Sequence, residues 1–263
     1  MDKANHFSLM IDALTELAEE EQAHHASRPP IAGLPSLRSA IADVSPLPRE
    51  AIFLGLAEDS LPVLLNLHDP VPGPLLISGD QASGKTAFLQ TIAQAAELLH
   101  SPSEVEYEVI TPYPGEWNGF HSNQNNAGIY ATQDNTTQDL LHSLVTWAHN
   151  NKGDHQSVLL LIDDLETLIK LDQQSEQNLR WLLLRGPSRG VWPIITINAS
   201  RAQNIKEWLG FFRTRLLGCT RDPHNSQLLA GSAKESLNEL ISGSQFAMRE
   251  GNNWLNFWVP AID

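Results

Sequence analysis

Residues 79–86 read Gly79-Asp80-Gln81-Ala82-Ser83-Gly84-Lys85-Thr86. This is the pattern G-x-x-x-x-G-K-T, a glycine-rich loop whose backbone N–H groups can close around a phosphate. The run before it, Pro74-Leu75-Leu76-Ile77-Ser78, is apolar and short, as a buried strand would be. After it Phe88, Leu89, Ile92, Ala96 and Leu99 recur at helical spacing. A loop between strand and helix puts the bound phosphate at the positive end of the helix, where the first N–H groups lack partners. The residues expected to cradle it are Gly79, Asp80, Gln81, Ala82, Ser83, Gly84, Lys85, Thr86 and Ala87. Lys85 would reach the β- and γ-phosphates of ATP, and the Thr86 hydroxyl would serve Mg²⁺.

A second landmark lies further along the chain. Ser157-Val158-Leu159-Leu160-Leu161-Ile162-Asp163-Asp164 is an almost unbroken apolar run ending in acids, the signature of a central parallel strand buried on both faces. A carboxylate at the end of such a strand can hold the Mg²⁺ shell, which assigns Asp163 as the second metal residue. Asp164 stands where a water-positioning acid is needed, and Glu166 competes for that role. Asn198 ends the next apolar run, Val191 to Asn198, and either offers its amide to the γ-phosphate or caps the following helix. Arg185 and Arg189 bracket the turn before that run, and Arg215 opens the run after it. Any of these arginines, supplied by a neighbouring subunit, would stabilise the transferring phosphoryl group, and a local salt bridge is the alternative for each.

Working outward, Phe7, Met10, Ile11, Leu14, Leu17 and Ala18 predict an amphipathic helix from about Asn5 to Ala23, followed by a Pro- and Gly-containing linker. Residues 1–50 are thus read as an extension and 51–263 as the main domain. Ala51 to Leu67 reads as a β-hairpin turning at Glu58, Asp59 and Ser60. Glu106 to Ile110 reads as a strand, Pro112 to Asn126 as a loop, Asp139 to His149 as a helix, and Ile205 to Leu209 as part of another helix. The helix carrying Leu179, Leu182 and Leu183 should stop at Arg185-Gly186-Pro187. Pro193 argues against the first half of the strand that contains it. An alternating hairpin with Gly251-Asn252 near its turn closes the chain. Strands alternating with helices imply an α/β fold with a mainly parallel sheet and helices on both faces.

The chain has 263 residues, 41% of them hydrophobic, and one cysteine, Cys219, so no intrachain disulfide can form. The acidic start carries no export-signal pattern and no apolar run is long enough to span a bilayer, which predicts a cytoplasmic location. Net charge is −14, which disfavours nonspecific coating of nucleic acid. The charge is uneven. Residues 171–231 hold eight basic and four acidic residues, a balance of +4 against −18 for the remainder. That segment is expected to face phosphate or a partner.

Taken in order, these parts resemble the FtsK/SpoIIIE branch of the HerA/FtsK motor ATPases, and within it the tandem ATPase domains of type VII secretion. The likeness runs from about Ala51 to Asp263. It rests on IFLGLAEDSLPVLLNL as a leading hairpin, LLISGDQASGKTAFL as Walker A, VLLLIDDLETL as Walker B, RGPSRGVWPIITINAS as turn and sensor strand, and FRTRLLGCTRDPHNS as the next strand with its Asp-x-x-x-Ser element. The resemblance implies a RecA-like domain working as a homo-oligomeric, usually hexameric, ring. Such a ring hydrolyses ATP at subunit boundaries and pulls DNA or a polypeptide through its centre. DNA motors of the family usually read Asp-Glu where this chain reads Asp163-Asp164, which is closer to the distal secretion domains. A translocating ATPase and a slow nucleotide-gated module that docks a protein partner are the two readings left open.

Overall fold

The computed structural model describes residues 35–151, 156–168, 172–231, 237–250 and 253–262. The expected amphipathic helix between Asn5 and Ala23 and the Gly251-Asn252 turn lie outside the described residues. Pro35–Asp263 forms one compact unit by its contacts.

Helix α1 is Leu37–Val44, and the strands β1 (Ala51–Ala57) and β2 (Pro62–Asn66) form the leading antiparallel hairpin. Strand β3 (Leu75–Gly79) runs into the glycine-rich loop and helix α2 (Lys85–Leu99). Then come β4 (Val105–Thr111), β5 (Asn126–Ala131), α3 (Asn135–Asn150), β6 (Ser157–Ile162), the single turn α4 (Leu165–Leu168), α5 (Gln173–Arg185) and β7 (Val191–Asn198). The chain ends with β8 (Thr214–Leu217), α6 (Pro223–Ala230), β9 (Gln245–Glu250) and β10 (Asn253–Trp258).

Among the described residues ten strands join one sheet in the order β2-β1-β10-β9-β8-β3-β7-β6-β4-β5. From β8 to β5 every pairing is parallel, and the remaining four strands pair antiparallel. Alternation along each strand sends one set of side chains to each face. Leu75 and Ile77 meet Phe88, Leu89 and Ile92 of α2 on one face. Leu76, Leu160 and Ile195 meet α3 and α5 on the other through Leu141, Leu144, Leu179 and Leu182. Helices therefore cover both faces, as the strand and helix alternation implies.

Strand β7 lies between β3 and β6, so the two strands that carry the glycine-rich loop and Asp163 are not neighbours. Pro193 is accommodated inside β7 by register. Val158 N–H donates to Gly190 O at 2.7 Å, so even-numbered residues of β7 address β6 and Pro193 addresses β3. The β3 ladder begins only at Leu75 opposite Ile194, one residue later. The N–H that proline lacks would have had no β3 partner.

One local reading is corrected, and two elements beyond those read from the sequence are added. Residues 126–131, at the expected end of the polar loop and just past it, form the edge strand β5, whose Asn and Gly content hides its strand character. Leu37–Val44 folds as a helix whose Leu37, Ala40 and Ile41 are buried against Phe53 and Ala95. Around Ile205 the chain makes 3₁₀ turns, Ala199–Ile205 and Leu209–Phe211, in place of an α-helix. Ala199, Ala202, Ile205 and Trp208 are the buried positions there, and a spacing of three suits the 3₁₀ period.

Candidate functional site

The carboxyl ends of the parallel strands collect the polar residues. Phe88, Leu89 and Ile92 are fully buried, each stabilising its packing by about 1.5–3 kcal/mol, and this fixes α2 and the loop that leads into it. Within the loop Ala82 has φ 59° and Gly84 has φ 91°, left-handed values that turn the backbone sharply. A Cβ on Gly84 would come within 2.7–2.8 Å of the Gly243 backbone, so this position has no room for a side chain. Two further contacts pin the loop from the same side: Gly243 N–H donates to Ser83 O at 3.1 Å and Ser242 Oγ to Ala82 O at 2.9 Å. Helix α2 then starts without a side-chain cap. Its first N–H groups are the donors that an anion can accept from.

Lys85 folds back over the loop and donates to Asp80 O at 2.7 Å and Gly79 O at 3.2 Å. Burial pushes its ammonium pKa down, with Asp163, Asp80 and Asp164 pulling the other way. The Thr86 hydroxyl donates to Asp163 Oδ2 at 2.9 Å, and the Thr196 hydroxyl donates to Asp163 Oδ1 at 2.7 Å. Asp163 is only 6% exposed. Burial raises its pKa, against the opposing effects of Thr196, Thr86 and Lys85, while the neighbouring Asp164 charge adds to the rise. A hydroxyl and a carboxylate side by side are hard oxygen donors, the pair that suits a Mg²⁺ ion completed by phosphate and water. The uncapped helix, the tight loop and this donor pair all fit a nucleoside triphosphate with its metal.

Asp164 has φ 69°, unusual for a residue with a side chain, and its N–H donates to Thr196 Oγ1 at 2.8 Å. Its carboxylate pairs with Arg201 Nη1 at 3.0 Å. Glu166 pairs with the same arginine at Nε, 3.1 Å away, and also accepts from Asn204 Nδ2 at 3.0 Å. Sequence patterns do not mark Thr196, Arg201 or Asn204 as site residues. A hydroxyl inside an otherwise apolar strand is a signal for Thr196; for Arg201 the signal is membership in the basic segment.

The remaining candidates divide. Asn198 lies beside Gly79 in the β3–β7 register, at the site, and its Oδ1 caps the 3₁₀ turn by accepting from Ser200 N at 3.1 Å and Ser200 Oγ at 3.0 Å. Arg185 and Arg189 are exposed at the amino end of β7, the far edge of the sheet from the loop. At about 3.3 Å per residue the length of that strand separates them from the chain's own phosphate loop. Arg215 is turned inward. Its guanidinium donates to Leu229 O at 2.6 Å, Leu209 O at 2.8 Å and Phe212 O at 3.2 Å, which ties β8 to the adjoining turn and to the end of α6. These internal carbonyls give Arg215 a local structural partner set, the alternative to reaching a neighbour's nucleotide. Two cavities of about 380 and 400 Å³ lie away from the phosphate loop, the second lined by His68, Gln156 and Arg189. The glycine-rich loop lies at the carboxyl end of β3, in the interior of the sheet.

No protein-family model matches the chain, and no curated protein does. Solved structures do match. The cytoplasmic domain of the Thermomonospora curvata type VII secretion ATPase EccC superposes with a TM-score of 0.70 at 16% identity, over 88% of this chain and 32% of that one. ATPases 2 and 3 of T. curvata EccC, in complex with a signal sequence peptide, give 0.64 at 17% identity, over 89% and 43%. The pCW3 conjugation coupling protein TcpA, in its monomer form with ATPγS, gives 0.65 at 15% identity, over 87% and 69%. The chain spans 32–43% of the length of the EccC structures it matches. No helix among the described residues is long and apolar enough to cross a membrane. The fold of this chain is the one seen in these secretion and conjugation ATPase structures.

Proposed function

We propose that this chain binds ATP with Mg²⁺ through Gly79–Thr86 and Asp163, hydrolyses it, and works as one subunit of a translocating ring. The observation that carries the reading is the hydrogen bond from Thr86 to Asp163, made beside an uncapped helix N-terminus and the cation of Lys85. Bound Mg²⁺ would offset negative charge on the β- and γ-phosphates. The loop N–H groups would hold the phosphate chain, Lys85 would leave its carbonyl partners for the phosphate oxygens, and Thr86 and Asp163 would hold the metal's protein-facing side. In hydrolysis the oxygen of water bonds to the γ-phosphorus. The bond from that phosphorus to its bridging oxygen breaks, the electron pair leaves on ADP, and the water gives up a proton to a nearby carboxylate or to the product phosphate. Asp164 or Glu166 would orient the water, and the amide of Asn198 can approach the γ-phosphate from the strand beside the loop.

Ring assembly and DNA as the polymer moved are part of this reading, supported by the resemblance to FtsK-type motors and by the basic balance of residues 171–231. A polypeptide substrate or a nucleotide-gated protein partner is the second reading. It is supported by the peptide-bound EccC structure and by the pairing of both candidate acids with Arg201.

The test is Lys85→Ala in the full chain. Removing charge-assisted bonds worth about 3 kcal/mol or more together should weaken Mg–ATP binding roughly 100-fold and abolish phosphate release, with the fold retained. Unchanged affinity would sink the assignment. Duplex DNA added at low salt then separates the substrates: stimulation that fades steeply with salt supports DNA, and a flat response from assembled protein supports a protein partner.

A further inference from the structure

Arg201 is the point where two candidate acids meet. Its Nη1 lies 3.0 Å from Asp164 and its Nε 3.1 Å from Glu166, while the arginine itself remains 48% exposed. The chain of contacts runs back to the metal pair, because Asp164 N–H donates to the same Thr196 hydroxyl that donates to Asp163. A carboxylate oxygen that accepts from a guanidinium has fewer lone pairs for water. Asp164 Oδ2 is held in that state by Arg201 Nη1, while Glu166 Oε2 lies within ion-pair distance of the same guanidinium without a hydrogen bond to it.

The two acids are not held equally. Glu166 keeps a second partner in Asn204, at 3.0 Å. Besides its ion pair, Asp164 accepts at Oδ1 from the Glu166 N–H, at a longer 3.3 Å. Its left-handed backbone, φ 69°, fixes the direction from which its short side chain leaves the strand end. Loss of Arg201 therefore frees Asp164 more than Glu166.

We propose that Arg201 is a positioning residue that latches Asp164 at rest, and that its withdrawal releases Asp164 to orient the attacking water. The proposal rests on the ATPase reading above. Arg201 stands half exposed on the turn after β7, within reach of an arriving anion such as a carboxylate of a second copy, which would compete for the guanidinium. The latch makes Asp164 the working acid and Glu166 the anchor that keeps Arg201 in place.

The experiment compares full-length wild type, Arg201→Ala, Arg201→Gln and Arg201→Lys for equilibrium binding of a fluorescent ATP analogue with Mg²⁺, and for kcat and KM of phosphate release. Arg201→Ala and Arg201→Gln should raise kcat about tenfold, within the roughly hundredfold that a positioned base supplies, while KM and binding stay constant. Arg201→Lys should stay near wild type because an ammonium still pairs with Asp164. In the Arg201→Ala background, Asp164→Asn should remove the gain and Glu166→Gln should leave it. A kcat that falls or holds steady in both Arg201→Ala and Arg201→Gln overturns the latch, as does a gain that survives Asp164→Asn. Intact binding in those variants leaves the nucleotide reading standing while the latch fails. Wild type that binds no nucleotide overturns both.

Discussion

The Thr86 hydroxyl and the Asp163 carboxylate, 77 positions apart in the chain, are joined by a hydrogen bond of 2.9 Å across the end of an intervening strand. The gap left by β7 is bridged because Thr196 of that strand donates to the other Asp163 oxygen at 2.7 Å. One carboxylate thus binds together the loop-helix junction, β7 and β6.

Asp163 should cost stability when no metal is bound. Its pKa is raised on folding, so the folded state holds the proton more tightly than the unfolded chain, and stability falls as pH rises through that window. Asp163→Asn should therefore raise the melting temperature of metal-free protein at neutral pH while losing Mg²⁺-dependent ATP binding. Calorimetry with and without Mg–ATP measures both; a lower melting temperature together with intact Mg²⁺ dependence would contradict the assignment.

Glu108 offers a second pH-dependent contribution, away from the site. Burial, helped by the Glu106 charge, pushes its pKa up to about 7, and its Oε2 is buried without a hydrogen-bond partner. The sign is the same as for Asp163: the penalty is absent below the unfolded pKa and complete above the folded one. Glu108→Gln should stabilise the protein at pH 8 by up to about 3 kcal/mol, and the gain should vanish near pH 4. Urea unfolding at the two pH values checks it, and an equal effect at both would contradict the titration.

Arg215 is expected to act on stability, since its donors satisfy the carbonyls of Leu209, Phe212 and Leu229. Arg215→Ala should cost about 2–3 kcal/mol by leaving those carbonyls short of partners. Mixing it with Lys85→Ala should restore no turnover beyond the sum of the parts, whatever the oligomer. Recovery of activity in that mixture would return Arg215 to the set of residues supplied to a neighbour.

Arg189 is the arginine to test across a subunit boundary, being exposed at the amino end of β7 and unable to serve its own loop. In a ring, turnover per subunit should rise with protein concentration. Arg189→Ala mixed with Lys85→Ala should regain part of the wild-type rate, because each supplies what the other lacks. Phosphate release across a dilution series decides; a constant rate from a proven monomer would end the proposal.

The sequence alone determined the glycine-rich loop between strand and helix and the layered α/β fold. Gly84, Lys85 and Thr86 are consecutive, and Leu75 to Gly79 and Phe88 to Leu99 flank them, so backbone conformation and periodicity settle that unit locally. The run from Val158 to Ile162 announced a buried strand with Asp163 at its end for the same reason. Tertiary structure decided which polar groups meet. Arg201 finds Asp164 and Glu166, and Arg215 finds the carbonyl of Leu229, because sheet order and register bring together partners well apart in the sequence. Periodicity reports which face a residue takes. It carries no information about the strand that will lie beside it, and that neighbour is what gives a charged side chain its role.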